Sequence, residues 1–209
     1  MHSIDILIPD SEICQKATRL VAEVSSKPLC NHCLRTFFFG ALLGQRDRLK
    51  YDHELLYLGA VLHDLGLTEP FDGEQRFEVD GADAARAFVV EHGLPEEKAE
   101  IVWDAIALHT SIGIAARKRP EIALVHLGAG ADVAGMRLAD IAPETVEQVI
   151  DAYPRLDFNH AMTELLVSQV KRKPQTALLN WLTEVGRCRI PGFTAPTWDD
   201  MLNNNPFAE

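Results

Sequence analysis

An all-α domain, a single helical bundle, is what this sequence predicts, and three features of the chain point there. Apolar residues recur at intervals of three and four in nearly every segment. No run shows the strict alternation of a half-buried strand. Helix punctuation frames the segments, with Ser11 and Asp52 in capping positions, Pro28, Pro95, Pro120 and Pro143 at or near helix starts, and Gly66 at an end.

The first helix is expected to begin at a Ser11 cap and to present Ile13, Ala17, Leu20, Val21 and Val24 on one face. A second starts after Pro28 and runs through His32 and the Phe37-Phe38-Phe39 triplet to about Gln45; it is apolar on most sides and therefore central. The third opens at Asp52 and closes on Gly66 in a left-handed turn, which places His63 and Asp64 in its last turn. A long loop, TEPFDGEQRFEVDG, follows, and loops of that length often border a functional site. Helices resume from about Ala82 to His92 and from Pro95 through Leu108, leaving His109 at a helix end. After the basic stretch ARKRP, a helix from Pro120 to about Val133 carries Asp132 among small residues that let neighbouring helices approach. Segments at Pro143 to Ala152, Phe158 to Lys171 and Gln175 to Cys188 complete residues 1–189 as one domain. The tail, 190–209, holds three prolines and three consecutive asparagines and reads as irregular, packed through Phe193 and Trp198.

Composition narrows the function. The chain has 209 residues, 47% of them apolar, enough for a substantial core. Its 20 basic against 31 acidic residues leave a formal charge of −11, which argues against nucleic acid and anionic membrane as partners. A small-molecule substrate is expected, and a homo-oligomer stays open. No apolar run approaches the ~20 residues of a membrane span, and MHSIDILIPD is too short and acidic for a secretory signal, so a soluble cytoplasmic protein is expected. The four cysteines are sparse. Cys30 and Cys33 form a C-x-x-C but lack a second pair, and two core-facing thiols on one helix explain them better than a zinc site.

The chemistry is concentrated in four polar residues in apolar surroundings. His63 and Asp64 lie within VLHDLG, where an ionised aspartate needs compensation. A nearby arginine could provide it. The same anomaly recurs at His32, in a strongly apolar helix, and at Asp132, in a helix of small residues. These side chains could instead satisfy one another by converging on a divalent ion, since imidazole and carboxylate suit zinc, ferrous iron or manganese.

In order and in context, CNHCLR around His32, LGAVLHDLGLT around His63-Asp64 and GADVAG around Asp132 resemble the motifs of the HD superfamily of metal-dependent hydrolases. Within it, RFEVDGADAA and AIALHTSIG are similar to segments of the cyanamide hydratase subgroup, which adds water to a nitrile to give urea. The resemblance implies an all-helical domain of the HD type with His32, His63, Asp64 and Asp132 as metal ligands. It also implies one or two divalent transition metals in the bundle; one is expected, zinc favoured and iron or manganese as alternatives, and it activates water for attack on a small molecule. Asp64 and His109 are then the expected catalytic residues, and His109, Glu78 and Arg35 the expected substrate contacts. Glu78 could equally be an exposed loop side chain, and Arg35 could pair with Asp64. His126 stays outside the ligand set because six residues from Asp132 is not a same-face helical spacing. Two alternatives remain: a phosphohydrolase of nucleotides or phosphoesters, and a catalytically degenerate binding module.

Overall fold

Helix α1 (Glu12–Val24) starts where Ser11 Oγ accepts from the Cys14 amide at 3.4 Å, and buries Cys14, Ala17 and Val21, one face at helical spacing. The structure is a computed structural model that describes residues 6–204, 206 and 207. Among these residues there are ten α-helices and no strand, so the chain is all-α. None of the helices is long and apolar enough to cross a membrane. The chain divides into two compact units, Met1–Ala161 and Met162–Glu209.

In the first unit, α2 (Lys27–Arg46) is the central element, buried along most of its length. Phe37, Phe39 and Leu43 on α2 join Leu56, Tyr57 and Leu58 of α3 (His53–Leu62), Ile106 of α5 (Glu96–Ala107) and Leu124 of α6 (Pro120–Ala134) in one core. Each such side chain contributes about 1.5–3 kcal/mol by leaving water. Two glycines let α2 and α6 meet backbone to backbone. A Cβ on Gly128 would lie 2.0 Å from the Thr36 carbonyl oxygen, and one on Gly40 2.6 Å from that of Leu124. The crossing fixes His32 and Asp132, which lie on these two helices, relative to each other.

Helix α3 opens as expected, with Asp52 Oδ1 accepting from the amides of Glu54 (3.1 Å) and Leu55 (3.3 Å). It ends earlier than Gly66: the last helical residue is Leu62, His63 caps it, and Leu65–Leu67 forms a short 3-10 turn. Gly66 does not make a left-handed turn. It provides room instead, since a Cβ there would lie 2.0 Å from the Phe77 carbonyl oxygen. That contact brings in α4 (Phe77–Glu91), which begins five residues before the expected Ala82. The long loop is correspondingly shorter, and Glu78 belongs to the first turn of a helix. The α7 (Pro143–Ala152) and α8 (Phe158–Arg172) boundaries agree with the helical spacing within a residue.

In the second unit, the expected helix over Gln175 to Cys188 is split into a 3-10 turn, Pro174–Ala177, and α9 (Leu182–Arg189). Leu179 between them is left-handed (φ 58°), which interrupts the helix. The tail is not wholly irregular, because Thr197 and Asp200 form a reciprocal capping box that starts α10 (Trp198–Asn203). Phe193 packs over Gly186, whereas Trp198 is 66% exposed and does not pin the tail.

Candidate metal centre

Three sequence-predicted ligands converge. His32 projects from the buried second turn of α2, while His63 and Asp64 leave the end of α3 just where the helix stops, so their side chains need not follow its axis. His32 Nε2 lies 3.2 Å from His63 Nε2 and 3.5 Å from Asp64 Oδ2, and His63 Nε2 lies 3.2 Å from Asp64 Oδ2. All three residues are buried.

The chemistry of these atoms fits a divalent ion. His32 Nδ1 donates to Asp132 Oδ2 at 2.6 Å and His63 Nδ1 to the Ala60 carbonyl at 2.7 Å, which turns the Nε2 atoms of both rings toward the centre. Asp64 Oδ2 is buried without a hydrogen-bond partner. Two imidazole nitrogens and a carboxylate oxygen so close repel one another unless a cation, proton or metal, lies between them. Ligand atoms about 2.0–2.1 Å from a tetrahedral ion lie about 3.3–3.4 Å apart, which is the size of this triangle. The proton equilibria express the same tension. Burial would raise the Asp64 pKa, but the His63 charge 3.2 Å away holds it well below the carboxylate range. Burial would lower that of His63, yet Asp64 raises it well above the usual histidine value. For His32 burial prevails and lowers it, although the Asp132 bond opposes.

Asp132 is not on this triangle. Its carboxylate stands behind His32, where Oδ2 accepts from His32 Nδ1 and from Arg35 Nη2 (2.8 Å) and Oδ1 accepts from Arg35 Nε (2.7 Å) and Arg155 Nη1 (2.9 Å). A carboxylate hydrogen-bonded behind a histidine in this way is placed to orient that ring, as the carboxylate partners of metal-bound histidines are. Burial would raise its pKa, but the His32 and Arg35 hydrogen bonds hold it well below the usual range. Arg35 pairs with Asp132 and not with Asp64. It is 0% exposed and its Nη1 also donates to the Tyr153 carbonyl at 2.9 Å, so the guanidinium expected to contact substrate is engaged in holding Asp132. Sequence reasoning missed Arg155 and Phe158. The Phe158 ring stacks on His32 with centroids 4.6 Å apart, but YPRLDF resembles any short connection and carries no local signal.

His109 follows α5 and faces the triangle, its Nε2 3.8 Å from Asp64 Oδ1 and its Nδ1 donating to the Ile106 carbonyl at 2.6 Å. Burial, with the nearby His63 charge, pushes its pKa down to about 4, so the ring is neutral at pH 7 with Nε2 free to accept a proton. Glu78 is not an exposed loop residue: it is 0% exposed and accepts from Arg76 Nη2 and Thr110 Oγ1, both at 2.7 Å. Burial would raise its pKa, but the hydrogen bond from Arg76 outweighs that and lowers it. Through Thr110, Glu78 anchors the segment that carries His109. His126, outside the expected ligand set, is buried and donates from Nδ1 to the His109 carbonyl at 2.6 Å, a second tether on that segment. Cys30 and Cys33 are buried free thiols in the core.

Comparison with known families places residues 29–151, more than half of the chain, in a match to the HD domain. No curated protein matches the sequence.

Proposed function

The chain belongs to the HD domain family, generally metal-dependent hydrolases, and from that premise we propose that it adds water to a small nitrile such as cyanamide, giving urea. The observation that carries this reading is enclosure. His32, His63, Asp64, Glu78 and His109 are all buried, which suits a substrate of few atoms. Phosphates demand unpaired cations, and the arginines at the centre are already matched, Arg35 and Arg155 with Asp132 and Arg76 with Glu78. Hydrolysis of a nucleotide or other phosphoester is the second reading, favoured by the family match and opposed by those pairings.

His32 Nε2, His63 Nε2 and Asp64 Oδ2 are the atoms that would hold the ion. A divalent metal there supplies Lewis acidity that lowers the pKa of water toward ~7. The rest falls to the chain. Asp64 Oδ1, directed toward His109, orients the attacking water, and neutral His109 Nε2 takes its proton as oxygen bonds to the nitrile carbon. The same proton returns to the nitrile nitrogen, and a second shift within the product gives the amide. Glu78 and Thr110 hold His109 in place.

A panel assay on the zinc-reconstituted protein tests the proposal. Cyanamide should yield urea, and chelation should abolish the turnover. Phosphate release from nucleotides or phosphodiesters with no turnover of cyanamide or other nitriles overturns it.

A further inference from the structure

The turn between α7 and α8 lies beyond the HD match, which ends at residue 151, yet it closes one side of the metal centre. Its main chain is tied down by Asn31 Nδ2, which donates to the Pro154 carbonyl at 2.8 Å, and by Arg35 Nη1 on the Tyr153 carbonyl. Leu156 and Asp157 are both left-handed, at φ 49° and 60°, a conformation that side-chain-bearing residues hold only where surrounding contacts impose it. The reversal delivers Arg155 and Phe158 onto the same face. Phe158 lies nearly parallel to the His32 ring, at 28°, and the Arg155 guanidinium carbon lies 4.8 Å above the Phe158 ring. Arg155 Nη1 donates to both the carbonyl and the Oδ1 of Asp132, at 2.9 Å each, bridging main chain and side chain of one residue. Its Nη2 meets Asn159 Oδ1 at 2.9 Å.

We propose that Arg155 and Phe158 are positioning residues that set the affinity of the centre for its divalent ion, an inference that rests on the metal-centre reading above. Phe158 limits rotation of the His32 imidazole and thereby aims Nε2. Arg155 fixes the side-chain rotamer of Asp132, which keeps the carboxylate on His32 Nδ1. Orienting partners of metal ligands typically change affinity by about 10–100-fold when removed. The α7–α8 turn with Phe158 is therefore a part of that centre that the family-matched segment does not contain.

The test is zinc affinity of the full chain, measured by competition with a chromophoric chelator, for wild type, Arg155→Gln, Arg155→Lys and Phe158→Leu, with thermal melts of each in chelator. Arg155→Gln and Phe158→Leu should bind zinc about 10–100-fold more weakly. Arg155→Lys should recover part of the loss, because an ammonium still reaches the Asp132 oxygens. The Arg155 side chain is one-third exposed (33%), so the folded state should survive its replacement even if Phe158→Leu does not fold. Wild-type affinity in Arg155→Gln overturns the inference, as does tighter binding, which would mean that Asp132 is better released to join the ligands. A fall in affinity matched by an equal fall in chelator-treated stability marks a general packing defect and also overturns it. Zinc-binding wild type with unaltered variants removes only this inference, whereas a wild-type chain that binds no zinc removes the metal-centre reading with it.

Discussion

Replacing Gly128 with alanine should separate the two helices that hold His32 and Asp132. The new Cβ would sit 2.0 Å from the Thr36 carbonyl oxygen, whereas ordinary contact begins at 3.4 Å, and the obstacle is backbone that cannot rotate away. Relief requires α2 and α6 to part locally by about 1.4 Å, the difference between those two distances. Transmitted along the helices, such a shift would stretch the 2.6 Å His32–Asp132 hydrogen bond past the range in which it counts as one. Overpacking typically costs ~1–3 kcal/mol, and a rigid obstacle belongs at or above the upper end. Alanine's helix propensity returns about 1 kcal/mol, leaving a net loss of roughly 2 kcal/mol. For a chain of this length that lowers Tm by about 4–8 °C. Gly130→Ala, on the same helix, is the control: its Cβ would meet only the flexible Met136 side chain at 3.0 Å, and its Tm should stay within about 2 °C of wild type. Differential scanning calorimetry and zinc affinity on both variants check this. Equal shifts in the two, or a Gly128→Ala chain with unaltered stability and zinc binding, would refute the reasoning.

Asp64→Asn should destabilise the chelator-treated protein, because His63, whose charge Asp64 balances at 3.2 Å inside the buried triangle, is left without a counter-charge. The same change should abolish the zinc-induced rise in stability, worth about 2.7 kcal/mol when zinc is at a hundredfold excess over Kd. Melts with and without zinc decide it, and a retained zinc effect removes Asp64 from the ligands. Asp52→Ala should cost about 1 kcal/mol through loss of the α3 cap and the 2.8 Å bridge from Lys98. Burial alone would raise the Asp52 pKa, but Lys98 and the two cap amides lower it, so its stabilisation is complete above the unfolded value of about 3.9 and fades as pH falls through the lower folded value. Denaturant titrations should accordingly show a constant difference from wild type between about pH 5 and 8 that shrinks below about pH 4, and a difference that grows on acidification would contradict the sign.

The helical class and most helix bounds were legible because burial of one face imposes a period that the residues themselves display, as in Ile13, Ala17, Leu20, Val21 and Val24 of α1. His32, His63, Asp64 and Asp132 were legible as charged or polar residues in apolar contexts, which need partners wherever they lie. Local sequence does not carry the identity of those partners. Whether Asp132 would reach an ion or stand behind His32 depended on where Arg35 and Arg155 directed their guanidinium groups, across 97 and 23 residues of chain. Glu78 looked like a loop residue because the glycine contact that starts α4 early joins Gly66 to Phe77, a meeting of two backbones with no local signature. Arg155 and Phe158 came to the site only through packing of the α7–α8 turn. The sequence by itself determined that the chain folds as helices and which side chains require compensation, since periodicity and desolvation are properties of each residue and its near neighbours. Tertiary structure alone decided which groups compensate which, because that depends on distances between helices remote in the chain.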